Sequence, residues 1–221
     1  MPIVDLSHEI SSVSPPYPGD PVVEMRNVFD VPQHGFRVRA LSFGSHQGTH
    51  FDAPAHVFEG GKFLEEYPLE RFDATARKVD LGTLRPQECV GVERLRTHER
   101  AFDTCDHILL WTHWAESAES FSLSEYFRSS PFLSREAAEW IASKKIALLG
   151  LDIPSPDAFG DENLPSHRAL LEADTLLLEN LCRLGELPEG DFFRLTALPL
   201  PLAHAEGSPA RAIARWGAFL Y

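Results

Sequence analysis

With 221 residues and 43% hydrophobic side chains, the chain is long enough to bury a sizeable core, and its 24% charged content is that of an ordinary globular protein. A formal charge of −13 sets it against phosphate backbones and anionic lipid, which excludes nucleic acid and membrane surfaces as natural partners. The three cysteines, Cys89, Cys105 and Cys182, are odd in number, widely spaced and form no Cys-x-x-Cys pair, so they read as free thiols of a reducing compartment.

The N-terminus, Met1-Pro2-Ile3-Val4-Asp5, carries no basic region followed by an apolar core. No apolar run approaches the roughly 20 residues of a membrane helix. The expectation is a cytoplasmic protein. Residues 2–6 read as a short strand. Ser14–Pro21 holds four prolines and a glycine in eight residues, which rules out helix interior or central strand and predicts a loop. Val22–Val28 and Phe36–Phe43 alternate as strands do, the second with Phe36, Val38 and Ala40 opposite Arg37, Arg39 and Leu41. Gly60-Gly61 marks a turn and Ala76–Leu81 a strand. Val90 and Val92 precede a helix-like charged stretch ending at Arg100. His107–Thr112 is a buried strand. Ser134–Ser143 is the clearest helix: Ser134 caps it, Glu136 sits in its first turn, and Ala137, Trp140 and Ile141 share a face. Ile146–Leu151 is a buried strand stopped by Pro154-Ser155-Pro156. Ser166–Ala173 is a short helix with Ser166 as its cap, and Thr175–Leu178 is a strand that delivers Glu179. Thr196–Ala203 and Ala210–Trp216 are two further strands separated by Gly207-Ser208-Pro209. Strands outnumber helices and the two mix along the chain, without repeats or a dividing linker. That predicts one α/β domain over residues 1–221, with a mixed sheet and flanking helices.

The chemistry concentrates in Ser45–His56. His46, His50, Asp52 and His56 all occupy even positions within eleven residues, and even positions of an extended chain face one way. Gly48, Thr49 and Pro54 oppose a helix, so the His46/His50 spacing is not that of a helical zinc protease motif. A straight strand fails as well: at roughly 3.3 Å per residue the two histidines would lie about 13 Å apart. Nitrogens on one metal ion must each come within roughly 2.1 Å of it. The chain must therefore bend, and Gly48 is the residue that permits the bend. A lone histidine reads as a surface or hydrogen-bonded side chain, but imidazoles clustered with a carboxylate suit Zn²⁺, and also Mn²⁺ or Fe²⁺. His56 reads as a fourth ligand or as a proton-transfer group, neutral near pH 7, and because a catalytic site keeps one position open the second reading is preferred. His107 and His113 read as structural, and His8, His34, His98 and His204 receive no role.

His46–His56 also fits the pattern His-x-Gly-Thr-His-x-Asp-x-Pro-x-His, and with it the chain resembles the cyclase-like metal hydrolases. That family includes bacterial kynurenine formamidase (arylformamidase) and isatin hydrolase. Asp5-Leu6-Ser7-His8, Pro18-Gly19-Asp20, Tyr67–Glu70, Asp152-Ile153-Pro154-Ser155 and Gly207–Arg211 extend the resemblance over nearly the whole chain. The resemblance implies a swivelling β/β/α fold, a homodimer or higher homo-oligomer, and one or two divalent ions, zinc first and manganese second. It implies that His46, His50 and Asp52 bind the first ion and that Asp52 bridges to a second held by His167 and Glu179. It implies His56 as proton donor and acceptor. Tyr17 falls where kynurenine formamidases place a tryptophan against the aromatic substrate, a departure that leaves other small amides, lactams or lactones open. The implied reaction is hydrolysis of N-formylkynurenine to kynurenine and formate. The alternatives are hydrolysis of a cyclic amide such as isatin and, in another class, metal binding without turnover.

Overall fold

Side-chain alternation decides which way each strand of the molecule faces. The computed structural model describes residues 2–217. In chain order its elements are β1 (Ile3–Asp5), β2 (Glu24–Phe29), α1 (Val31–His34), β3 (Val38–Ser42), β4 (His50–Asp52), β5 (Asp73–Asp80), β6 (Cys89–Val90), α2 (Val92–Arg96), α3 (Glu99–Thr104), β7 (His107–Trp111), α4 (Leu123–Arg128), β8 (Phe132–Leu133), α5 (Arg135–Ser143), β9 (Leu148–Leu151), α6 (Pro165–Glu172), β10 (Leu176–Glu179), β11 (Phe192–Pro199) and β12 (Gly207–Arg215). The main sheet runs β1-β12-β11-β5-β7-β9-β10-β4, and β4 pairs again with β12, which curls the sheet into a barrel-like ring. The β5-β7-β9-β10 run is parallel, and the pairings that close the ring through β4, β12 and β11 are antiparallel.

Alternation divides the apolar residues into two cores. Leu109, Leu148, Leu176, Leu178, Phe51 and Phe193 fill the ring. Ile108, Leu110, Leu149, Leu151 and Leu177 face outward, against Ala137, Ala138 and Ile141 of α5 and Leu170 and Leu171 of α6. The parallel strands are buried on both faces and read as continuous apolar runs, as in other parallel sheets. Helix α5 starts as expected, with the Ala137 N–H donating to Ser134 Oγ at 3.1 Å. The same parity places the chemistry: Phe51 points into the ring, so His50 and Asp52 point out of it, and Glu179 on the neighbouring strand lies opposite His50.

Several elements differ from expectation. Ser166 does not cap α6. The helix begins at Pro165, after Leu164 in the left-handed region (φ +48°). Ser166 is fully buried and donates its hydroxyl to Leu133 O at 3.2 Å. The helix N-terminus is instead satisfied from a distance: the Asp157 carboxylate accepts the N–H groups of Ser166 at 2.7 Å and His167 at 3.0 Å. The segment Gly207-Ser208-Pro209 is not a separator but the start of β12, opposite β4 with Pro209 facing His50. The strand expected over Thr196–Ala203 runs from Phe192 to Pro199 instead, because its N-terminal half pairs with β5, which itself begins at Asp73. β2 and β3 form, but as a separate ribbon.

Candidate metal centre

The motif folds as a bend followed by a short outward-facing strand. Gly48 takes φ +67°, and a Cβ there would crowd Ile10 Cγ1 at 3.1 Å, so the bend expected at this position is built on a residue without a side chain. The bend turns the Gly48 carbonyl onto His50, whose Nδ1–H donates to it at 2.9 Å and leaves Nε2 free to face the centre. Beyond β4, Pro54 opens a helical turn over Pro54–His56 that brings His56 back beside His46, with ring centroids 4.1 Å apart. The four even-numbered residues thus converge.

Asp52 is the hub. Its Oδ1 lies 2.7 Å from His46 Nδ1 and 3.4 Å from His50 Nε2, and its Oδ2 lies 3.4 Å from His167 Nε2. Glu179, delivered by β10, has Oε1 3.2 Å from His167 Nε2 and Oε2 3.6 Å from His50 Nε2. So the residues more than a hundred positions downstream meet the motif on the far side of Asp52. Two sets offer donor atoms within 4.8 Å of one another: His46, Asp52 and His56, and His50, Asp52 and Glu179. His56 therefore lies within reach of the same centre as the other imidazoles. His167 is oriented by Asp157, whose Oδ2 accepts its Nδ1–H at 2.6 Å.

The donor set suits a divalent cation. Asp52 and Glu179 are 1% and 2% exposed, so two carboxylates sit together out of water, an arrangement that strongly disfavours two bare negative charges. Asp52 Oδ2 and Glu179 Oε1 are buried without a hydrogen-bond donor among the described residues, as oxygens aimed at an ion would be. The titration behaviour reports the same stress. Burial, reinforced by the charge on Asp52, pushes Glu179 upward. Burial opposes ionisation of Asp52 too, yet the His46 and His50 imidazoles hold it well below the usual carboxylate range. Burial acts against a charged His167, but the Asp157 carboxylate that accepts its Nδ1–H, and the Asp52 and Glu179 carboxylates beside its Nε2, raise it well above an ordinary histidine. Burial lowers His50 and His56 to about 4, so both are neutral at pH 7 with lone pairs to donate.

The centre lies at the floor of a cavity of about 240 Å³ whose wall includes Tyr17, Phe127, Pro154 and Leu164. The Tyr17 ring meets Phe127 edge-on at 5.5 Å and Phe159 at 5.7 Å. Burial, with help from the charge on Glu179, raises the Tyr17 phenol, which stays protonated and able to donate. Sequence reasoning placed Tyr17, His46, His50, Asp52, His56, His167 and Glu179, and the structure brings all seven to this cavity. It missed Asp157, whose only local signal was a carboxylate directly after the proline-stopped turn. It also missed Phe127 and Asn180. Asn180 takes φ +57° and links Tyr126, whose hydroxyl donates to its Oδ1 at 3.0 Å, to the Gly48 carbonyl.

Comparison with known proteins gives these residues a lineage. The Cyclase family model matches residues 4–158. Kynurenine formamidase from Bordetella petrii is 34% identical over 215 residues, covering 96% of both chains. Kynurenine formamidase from Bacillus cytotoxicus is 30% identical over 213 residues, again covering 96% of each. Among solved structures, isatin hydrolase A from Labrenzia aggregata superposes with a TM-score of 0.82 at 24% identity, covering 96% of this chain and 93% of that one, a likeness of fold. A match that spans most of the chain, joined to relatives aligned along nearly their full length, shows that the chain belongs to the Cyclase family.

Proposed function

We propose that the chain is a metal-dependent amidohydrolase, working as one catalytic domain, that cleaves N-formylkynurenine to kynurenine and formate. The supporting observation is the pairing of buried Asp52 and Glu179 with four imidazoles at the floor of an aromatic-walled cavity. The relatives that carry the name kynurenine formamidase favour this amide over others. His46, His50, Asp52, His167 and Glu179 would hold the metal, zinc first and manganese second, as one ion or two. When bound, such an ion supplies Lewis acidity and water activated at neutral pH.

The residues of the chain do the rest. Tyr17 and Phe127, packed edge-on against each other, offer one aromatic wall to the ring of the substrate and orient the formyl group toward the centre. His56, neutral near pH 7, takes a proton from the attacking water as the carbon–oxygen bond forms. It returns that proton to the aryl nitrogen as the carbon–nitrogen bond breaks. Asp157 keeps the His167 Nε2 aimed at the centre. The setting we propose is the cytoplasm, and the assembly a homodimer.

Tyr17 favours one further reading. It stands where the resemblance places a tryptophan, and hydrolysis of a cyclic amide such as isatin fits the same machinery. Metal-loaded protein assayed against N-formyl-L-kynurenine and isatin side by side separates the two. Turnover of the formamide is the expected result, turnover of isatin alone would transfer the assignment, and turnover of neither would remove it.

A further inference from the structure

His46 faces two carboxylates, one through each ring nitrogen. Its Nδ1 lies 2.7 Å from Asp52 Oδ1, inside the centre, and its Nε2 lies 3.7 Å from Glu206 Oε1. Asp52 is among the residues that would hold the metal. Glu206 belongs to neither set of donor atoms that converge within 4.8 Å. It is half-buried, directly precedes β12 and is ionised at neutral pH, yet the chemistry described so far gives it no task.

Several contacts keep Glu206 in place. Its carbonyl accepts the Ala53 N–H at 2.9 Å, and the next residue, Gly207, pairs with Asp52. Ser45 donates its hydroxyl to Glu206 Oε1 at 2.5 Å. Glu206 is thus tied to the residue before His46 and to the residue after Asp52. Gly207 adds an independent constraint. A Cβ there would collide with His46 Cε1 and stand 2.9 Å from Nε2. The backbone of this segment therefore presses on the imidazole edge that carries Nε2, and a residue without a side chain leaves room for the ring.

The proton count shows what the carboxylate does. A neutral imidazole that offers the lone pair of Nδ1 keeps its proton on Nε2. That N–H is the one held toward Glu206. An acceptor at the distal N–H of a ligating histidine fixes its tautomer and ring orientation and raises the basicity of the other nitrogen. His50 and His167 each have one: the Gly48 carbonyl at 2.9 Å and the Asp157 carboxylate at 2.6 Å. In both, Nδ1–H is the held proton and Nε2 faces the centre. His46 sits the other way round, and Glu206 stands at its distal nitrogen.

We propose that Glu206 is the positioning residue of His46, its carboxylate keeping the imidazole proton on Nε2 and Nδ1 turned to the centre. This rests on the metal-dependent reading of the centre and is independent of which amide is cleaved.

Two measurements on the full chain test it, both without substrate. In zinc-loaded protein carrying isotopically labelled histidine, long-range proton–nitrogen correlation spectra read the tautomer of His46. The expected signature is a proton on Nε2 and none on Nδ1, with the Nε2–H resonance displaced in Glu206→Gln. Zinc affinity, read by competition with a chelator, is expected to be about 10- to 100-fold weaker in Glu206→Gln, the usual cost of losing such a partner. The melt of the metal-free protein is expected to stay unchanged, which separates positioning from a structural role. If Glu206→Gln does not fold, Ser45→Ala, which releases the carboxylate, takes its place with the same expected direction. A proton on Nδ1 of His46, or an affinity unchanged in the variant, overturns the proposal. Wild type that binds no zinc overturns the metal centre and the proposal together. Failure to hydrolyse N-formyl-L-kynurenine by protein that does bind zinc overturns the substrate reading alone.

Discussion

His56 and Asp157 act at the two ends of the centre, and different measurements distinguish them. His56 sits at the end of the Pro54–His56 turn beside His46, where it can pass a proton between water and a leaving nitrogen. Replacing it with alanine is expected to lower kcat by about 100- to 10,000-fold, the usual contribution of a general acid–base. Elemental analysis should find the metal content unchanged, and a variant that lost its metal would show that His56 is a ligand. The Asp157 carboxylate accepts from the His167 imidazole and from the first turn of α6. Asp157→Asn is expected to weaken metal affinity by about 10- to 100-fold, read by competition with a chelator, because the imidazole loses the acceptor that fixes it. The motif was legible because its residue types are rare together and the bend at Gly48 follows from chain geometry. Asp157 was not, because nothing local to a carboxylate after a proline turn says that a helix ten residues later will bring a histidine onto it.

At the scale of elements, the closing of the ring depends on pairings that join distant segments. Asp73 at the start of β5 accepts from Arg194 Nε and Nη2 at 2.8 and 2.6 Å and from Thr196 Oγ1 at 2.7 Å on β11. The Arg194 side chain lowers the Asp73 carboxyl to about 2, below its ordinary 3.8. A depressed carboxylate contributes stability that is present above pH 3.8 and lost as pH falls through about 2. The pair is more than a third exposed, so its worth is modest. Asp73→Asn is expected to lower Tm by about 1–4 °C at pH 7 and to leave it unchanged below pH 2, as followed by circular dichroism. A second element-scale case is Gly150 on β9, where an added methyl would collide with Leu109 inside the ring and meet Leu181 Cδ1 at 2.9 Å. Gly150→Ala is expected to cost about 1–3 kcal/mol in denaturant titration. The buried parallel strands and α5 could be read from apolar runs and a serine cap. The start of β12 could not, since a Gly-Ser-Pro sequence reads as a break until a partner strand is known. The β2–β3 ribbon alternates like a half-buried pair, yet among the described residues both of its strands are largely exposed.

For the whole molecule, the fold buries the Asp52 and Glu179 carboxylates side by side, where a cation or protons must balance them. Metal binding to the folded state alone must then stabilise the fold. At a hundredfold excess over Kd that amounts to about 2.7 kcal/mol, so chelation is expected to lower Tm by about 5–10 °C. An unchanged melt would argue against a built-in site. The mixing of strand-like and helix-like segments along the chain predicted a mixed α/β fold and the rarity of the motif predicted a metal centre, but the order of strands around the ring rests on long-range pairings that local periodicity does not encode. The most direct test is the initial rate of N-formyl-L-kynurenine hydrolysis by chelator-stripped protein as Zn²⁺ or Mn²⁺ is added stepwise. The expected result is no turnover in the stripped protein and a rate that rises in proportion to bound metal. A rate indifferent to metal, or none with either ion, would contradict it.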